Sequence, residues 1–149
     1  MRSFNEIMDF AIAREKDAVQ FYKDLQNRSR FASQKSVLNE FELMEVGHVR
    51  LLEGVKERQS TAKLSQTIPG DLKLSDYLHD VKISDDMTYQ EILIAAMKKE
   101  ERAAALYTVM RDQSEDSEIR KVFTQLVIEE ENHKNHFESL YDRDIQGDN

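Results

Sequence analysis

One arrangement of residues occurs twice in this chain, 85 positions apart. Glu15 recurs as Glu100, and the spaced pair Glu45 and His48 recurs as Glu130 and His133. In each half, 30 positions separate the lone glutamate from the Glu-x-x-His pair. Residues 3–57 align with residues 88–142 without a gap, and 11 of the 55 pairs are identical. All six of these Glu and His positions are among the identities. The others include Ala11/Ala96, Ala18/Ala103 and Tyr22/Tyr107. A repeat of this length reads as two helical hairpins related by a pseudo-twofold axis. A solenoid would need at least three units.

The apolar spacing carries the same message. Ser3-x-x-Glu6 can cap a first helix whose stripe is Phe4, Met8, Ala11, Glu15, Ala18, Tyr22 and Leu25. After a break near Ser29–Ser33, a second stripe runs Leu38, Phe41, Glu45, His48, Leu52 and Val55. Thr88-x-x-Glu91 opens a third helix with Ile92, Ala96, Glu100, Ala103, Tyr107 and Met110 on one face. A polar break at Gln113–Ser117 precedes the fourth stripe: Phe123, Leu126, Glu130, His133, Phe137 and Leu140. Steps of three and four are those of a helix with one buried face. The predicted fold is all-α. It is a four-helix bundle of two hairpins, about 3–57 and 88–142, joined by a long crossover at about 58–87, all in a single domain over 1–149. The crossover contains Pro69-Gly70, and a short helix is expected around Leu72–His79, with apolar Leu74, Leu78 and Val81.

Composition narrows the function. The chain has one proline, four glycines and 34% charged residues, which suits long helices and not a β fold. Its net charge of −8 argues against a nucleic-acid surface. It has no cysteine, which removes disulfides, iron–sulfur clusters and thiolate zinc sites. No apolar run is long enough to span a membrane, and the N-terminus does not read as a signal peptide. A cytoplasmic protein is expected.

The six repeated polar residues fall on the apolar seams, at matching depth. Glu15 to Ser29 is 14 residues and Ser29 to Glu45 is 16, about 21 and 24 Å of helix. An antiparallel hairpin therefore sets Glu15, Glu45 and His48 at one level, and the repeat does the same for Glu100, Glu130 and His133. Buried carboxylates are costly unless paired or coordinated. Two lone glutamates and two Glu-x-x-His pairs form the ligand set of a dinuclear carboxylate site in a helical bundle, suited to two iron ions, or to manganese or zinc. The bland alternative is a polar layer without metal. Glutamate is about a tenth of the residues, so one Glu-x-x-His arises easily by chance. Two in register within a repeat, each with its own seam glutamate, do not. Asp76-x-x-His79 lies in the crossover without a repeat partner and reads as surface. His136 reads as a flank of the site. Tyr22 and Tyr107 stand seven residues after a seam glutamate and serve either as core or as supports of the carboxylates. Glu101, Glu129 and Glu131 are out of phase and read as solvated.

Around these residues the chain resembles the rubrerythrin family of the ferritin-like superfamily. The segments Arg14–Tyr22 and Lys99–Tyr107 are similar to that family's first- and third-helix signatures. Phe41–Leu52 and Leu126–Phe137 are similar to its second and fourth. The resemblance implies Glu15, Glu45, His48, Glu100, Glu130 and His133 as di-iron ligands, and an oxidoreductase that reduces hydrogen peroxide or dioxygen. Family members typically carry a cysteine-ligated iron domain for electron entry. This chain, cysteine-free to Asn149, is expected to take electrons from a separate donor protein and to form a homodimer. Members also carry a further carboxylate one turn after the third-helix ligand, where this chain has Ala103. Two other readings stand beside this one: an iron-handling ferroxidase of bacterioferritin type, and a helical module with a structural metal site.

Overall fold

The computed structural model describes residues 2–62, 67–68, 73–77 and 83–147. Helix α1, Phe4–Gln26, starts where Ser3 Oγ accepts the Glu6 N–H at 3.0 Å. Its last turn gives way to a 3₁₀ segment, Ser29–Gln34, which leads directly into α2, Lys35–Ala62. Helix α3, Tyr89–Gln113, opens with a complete capping box. Thr88 Oγ1 accepts the Glu91 N–H at 3.1 Å, and Glu91 Oε1 accepts the Thr88 N–H at 3.0 Å. Helix α4, Ser117–Gln146, is capped by Asp116, whose Oδ1 accepts the N–H groups of Glu118 and Ile119. It ends at Gly147, whose φ of +71° is the left-handed conformation that a residue without Cβ adopts freely.

The chain forms two compact units, Met1–Asp76 and Tyr77–Asn149. In the first, α1 packs along α2. Lys56 pairs with Asp9, joining the C-terminal part of α2 to the start of α1. At the other end Gln26 Nε2 donates to Glu42 Oε1 at 2.9 Å. These two links define an antiparallel hairpin. Two-residue strands β1 (Arg2–Ser3) and β2 (Thr67–Ile68) also pair in this unit, antiparallel, with Ser3 opposite Thr67. In the second unit α3 packs along α4. Gln90 Nε2 donates to Asp144 Oδ2 at 3.1 Å near one end. At the turn, Arg120 Nη1 donates to the carbonyls of Arg111 and Ser114.

Burial follows the expected stripes closely. Every seam position on the four helices is buried except Ala18, Phe41 and Ala103, which are intermediate. Phe31 is also fully buried, anchoring the 3₁₀ segment. Of the short helix expected around Leu72–His79, the described residues hold a 3₁₀ turn, Leu74–Tyr77, with no buried residue. Pro69-Gly70, Leu72, Leu78, His79 and Val81 lie outside the described residues. No described helix is long and apolar enough to cross a membrane.

Candidate metal centre

The first unit brings three of the seam residues together. Glu15 stands on α1, and Glu45 and His48 on α2, one turn apart and on the same face. One ligand atom from each lies within 4.8 Å of the others. His48 Nδ1 is 3.4 Å from Glu15 Oε2 and 3.4 Å from Glu45 Oε2. All three side chains are at most 2% exposed. Burial pushes the His48 imidazole down. Hydrogen bonding and charge from Glu15 and Glu45 more than reverse this, lifting it from 6.5 to about 11. Without a metal, the imidazole therefore carries the positive charge that holds two buried carboxylates together.

The second unit repeats the arrangement. Glu100 on α3, and Glu130 and His133 on α4, also offer ligand atoms within 4.8 Å of one another. His133 Nδ1 is 3.6 Å from Glu100 Oε2. These three are at most 3% exposed. Within each triad the donor set is two carboxylates and one imidazole nitrogen. Its charge is −2 when the imidazole is neutral, so one divalent cation neutralises it. Oxygen and imidazole donors of this kind suit iron, manganese or zinc. The residues fit a metal ion in each triad.

The neighbouring residues sort as their helical phase dictates. Glu101 and Glu131 are exposed and Glu129 is half-exposed. Asp76 is exposed, and its spaced partner His79 lies outside the described residues. His136 is half-buried, with its ring edge-on to Phe137 at 5.8 Å. Burial, then the positive charges of Arg143 and His133, hold its imidazole below the usual value. Tyr22 is fully buried, edge-on to Phe21 and Phe41, each at 5.7 Å. Tyr107 is buried against Phe123, stacked at 6.1 Å. Both rings thus form part of the apolar wall of the hairpin that holds the triad. Among the described residues, the clusters of metal-ligating side chains comprise the six seam residues and no others.

Comparison with known proteins agrees with this geometry. No functionally curated protein matches the sequence. A solved structure of a hypothetical protein from Pyrococcus furiosus is similar in fold, with a TM-score of 0.73, 22% identity, and coverage of 95% of this chain and 89% of that one. At that identity the likeness bears on fold alone. The rubrerythrin family profile matches residues 6–141, which include all six seam residues. With four helices and this match, the fold class is all-α, the ferritin-like four-helix bundle. The two buried Glu/His clusters point to metal binding. By the extent of that match, the chain belongs to the rubrerythrin family.

Proposed function

We propose that this protein is a di-iron carboxylate oxidoreductase that reduces hydrogen peroxide, or dioxygen, with electrons from a separate donor protein in the cytoplasm. The observation that carries the reading is the doubled triad: two buried Glu/Glu/His sets in a chain of the rubrerythrin family. Glu15, Glu45 and His48, with Glu100, Glu130 and His133, are the residues that would hold the iron pair. A bound iron pair would supply two electrons, one from each ion, which together with two protons from solvent turn hydrogen peroxide into two molecules of water.

The protein's own contribution is electrostatic and exclusionary. Four buried carboxylates favour the higher charge that iron carries after electron loss, because anionic donors stabilise it more strongly in a poorly solvated interior. Burial of all six side chains keeps bulk water away. Tyr22 and Tyr107 close the apolar wall on the same faces of α1 and α3 as Glu15 and Glu100.

The test is anaerobic rapid mixing of the reduced, iron-loaded protein with hydrogen peroxide. The expected result is consumption of about one peroxide per pair of irons, with further turnover only when an electron donor is added. If iron were oxidised but then accumulated as a mineral, the ferroxidase reading would replace this one. If the loaded iron did not react, the reading would fail.

A further inference from the structure

We propose that Ala18 and Ala103 are the points at which small molecules enter the two triads, and that they set a size limit that admits hydrogen peroxide or dioxygen and turns away organic hydroperoxides. The choice of oxidant rests on the function proposed above; the entry points do not. The six seam residues that would hold metal are at most 3% exposed, so whatever reaches them must pass a covering side chain. On α1 the seam positions Phe4, Met8, Ala11, Glu15, Tyr22 and Leu25 are buried, and Ala18 alone is partly exposed. On α3 Ile92, Ala96, Glu100, Tyr107 and Met110 are buried, and Ala103 alone is partly exposed. The two exceptions are the same position of the repeat, three residues after the lone glutamate of each triad.

Helical geometry makes that position the cover of the glutamate. Side chains three residues apart are neighbours on one face. Each leans toward the N-terminus of its helix, over the turn that precedes its own Cα. A long side chain at position 18 would therefore lie across Glu15, and one at position 103 across Glu100. Alanine supplies a single methyl group and leaves both uncovered. The imidazoles are better covered. Leu52 follows His48 by four residues and Phe137 follows His133 by four, and both are fully buried.

Small size alone does not account for the exposure. Ala11 and Ala96 lie on the same two seams, four residues before the glutamates, and are 0% and 1% exposed. Phe41, the other partly exposed seam residue, has no such counterpart in the repeat, where Leu126 is fully buried. It stands four residues before Glu45 and leans away from it. Four residues beyond the alanines stand Tyr22, its ring packed on Phe21 and Phe41, and Tyr107, its ring stacked on Phe123. Close-packed rings of this kind yield little. The space left by one truncated side chain between a glutamate and such a ring passes a two-oxygen molecule and not a branched alkyl group.

The test uses the full-length protein loaded with cobalt(II), whose visible spectrum reports azide, a small linear anion, at the metal without any turnover. Ala18→Leu with Ala103→Leu should slow azide association and dissociation by the same factor, about tenfold or more, the effect of a modest added barrier. The dissociation constant and the metal content should not change, because an entry point alters rates and not the end states. Ala13→Leu with Ala105→Leu, exposed on the same two helices, should leave both rates at those of the parent. Ala18→Gly with Ala103→Gly carries the test in the opposite direction where leucine is not accommodated: azide should enter faster. The iron-loaded parent should react with hydrogen peroxide far faster than with tert-butyl hydroperoxide, and the glycine pair should narrow that difference. Azide entry at the parent's rate in the leucine and glycine pairs would overturn the inference, whatever the protein does with peroxide. So would a changed dissociation constant without slower entry, or a parent that takes both peroxides at one rate. Slowed azide entry in a protein whose iron does not react with peroxide would leave the entry points standing and remove the function proposed above.

Discussion

Each triad puts two carboxylates and an imidazole where water does not reach, and their chemistry follows from that burial. Glu45 is fully buried and Glu130 nearly so, whereas Glu101 on α3 is exposed. Glu45→Ala or Glu130→Ala should therefore abolish binding of at least one metal ion per chain, while Glu101→Ala leaves metal content unchanged. Elemental analysis of the purified variants decides it, and metal loss from the Glu101 variant would sink the assignment. His48 adds a pH dependence. In the metal-free protein its pKa rises from 6.5 to about 11. The stability it contributes is fully present below about pH 6.5 and declines as pH rises toward 11. The melting temperature of metal-free protein should fall between pH 7 and pH 10 through this group. A metal ion replaces the proton, so the loaded protein should not show that decline. Metal uptake at pH 7 should release about one proton from His48. Calorimetry in buffers of different ionisation enthalpy measures it, and uptake without proton release would contradict the assignment.

The helices show which parts of the fold are local enough to be read from residues. The seams at Phe4–Leu25, Leu38–Val55, Ile92–Met110 and Phe123–Leu140 are phased by hydrophobic spacing alone, and burial matches them. The starts are legible too, because Ser3 and Thr88 each stand three residues before a glutamate, a spacing set by backbone geometry. Thr88→Ala should cost about 1 kcal/mol, the usual worth of an N-cap, because it removes the Oγ1 that accepts the Glu91 N–H and keeps only the backbone N–H that donates to Glu91. Denaturant unfolding of the two proteins would measure the difference, and an unchanged midpoint would show the cap to be idle. Other features left no periodic trace. Phe31 looks like one aromatic in a polar break, yet it is fully buried in the 3₁₀ segment. The pairing of Ser3 with Thr67 joins distant positions through the backbone, which no side-chain pattern announces. Helix α4 continues to Gln146, beyond the last seam residue Leu140, because exposed turns need helix propensity and not a buried face, and α2 runs on past Val55 to Ala62. Gly147 marks the end of α4 in the sequence, since it supplies the left-handed residue that closes a helix. In the crossover, the described residues Leu74–Tyr77 form a 3₁₀ turn without a buried side chain.

At the scale of the whole molecule, metal and stability are one question. The six seam residues are the chain's only buried charged or titratable Glu and His side chains among those described. In the first triad a protonated His48 offsets part of the charge of Glu15 and Glu45, and in either triad a divalent cation would offset all of it. Proton and hydrogen bonds offset only part of the desolvation of two carboxylates, and breaking such a set by removing one partner is strongly unfavourable. A metal that binds the folded chain alone stabilises it by mass action, about 2.7 kcal/mol at a free concentration 100 times the dissociation constant. For a chain of 149 residues that is a rise of roughly 5–10 °C in melting temperature. Scanning calorimetry of metal-free protein, then with excess ferrous, manganous or zinc ion under anaerobic conditions, should show that rise. The order of the shifts would rank the metals. A second variant separates coordination from general ionic effects. Replacing all six residues by apolar ones of similar size, Glu→Met and His→Leu, should abolish the metal-induced shift. It should leave the metal-free protein as stable as the parent or more so, because desolvated charge is exchanged for packing. If the melting temperature of the parent did not move with metal bound, or if the sixfold variant still responded to it, the seam would be a polar layer that serves no cation.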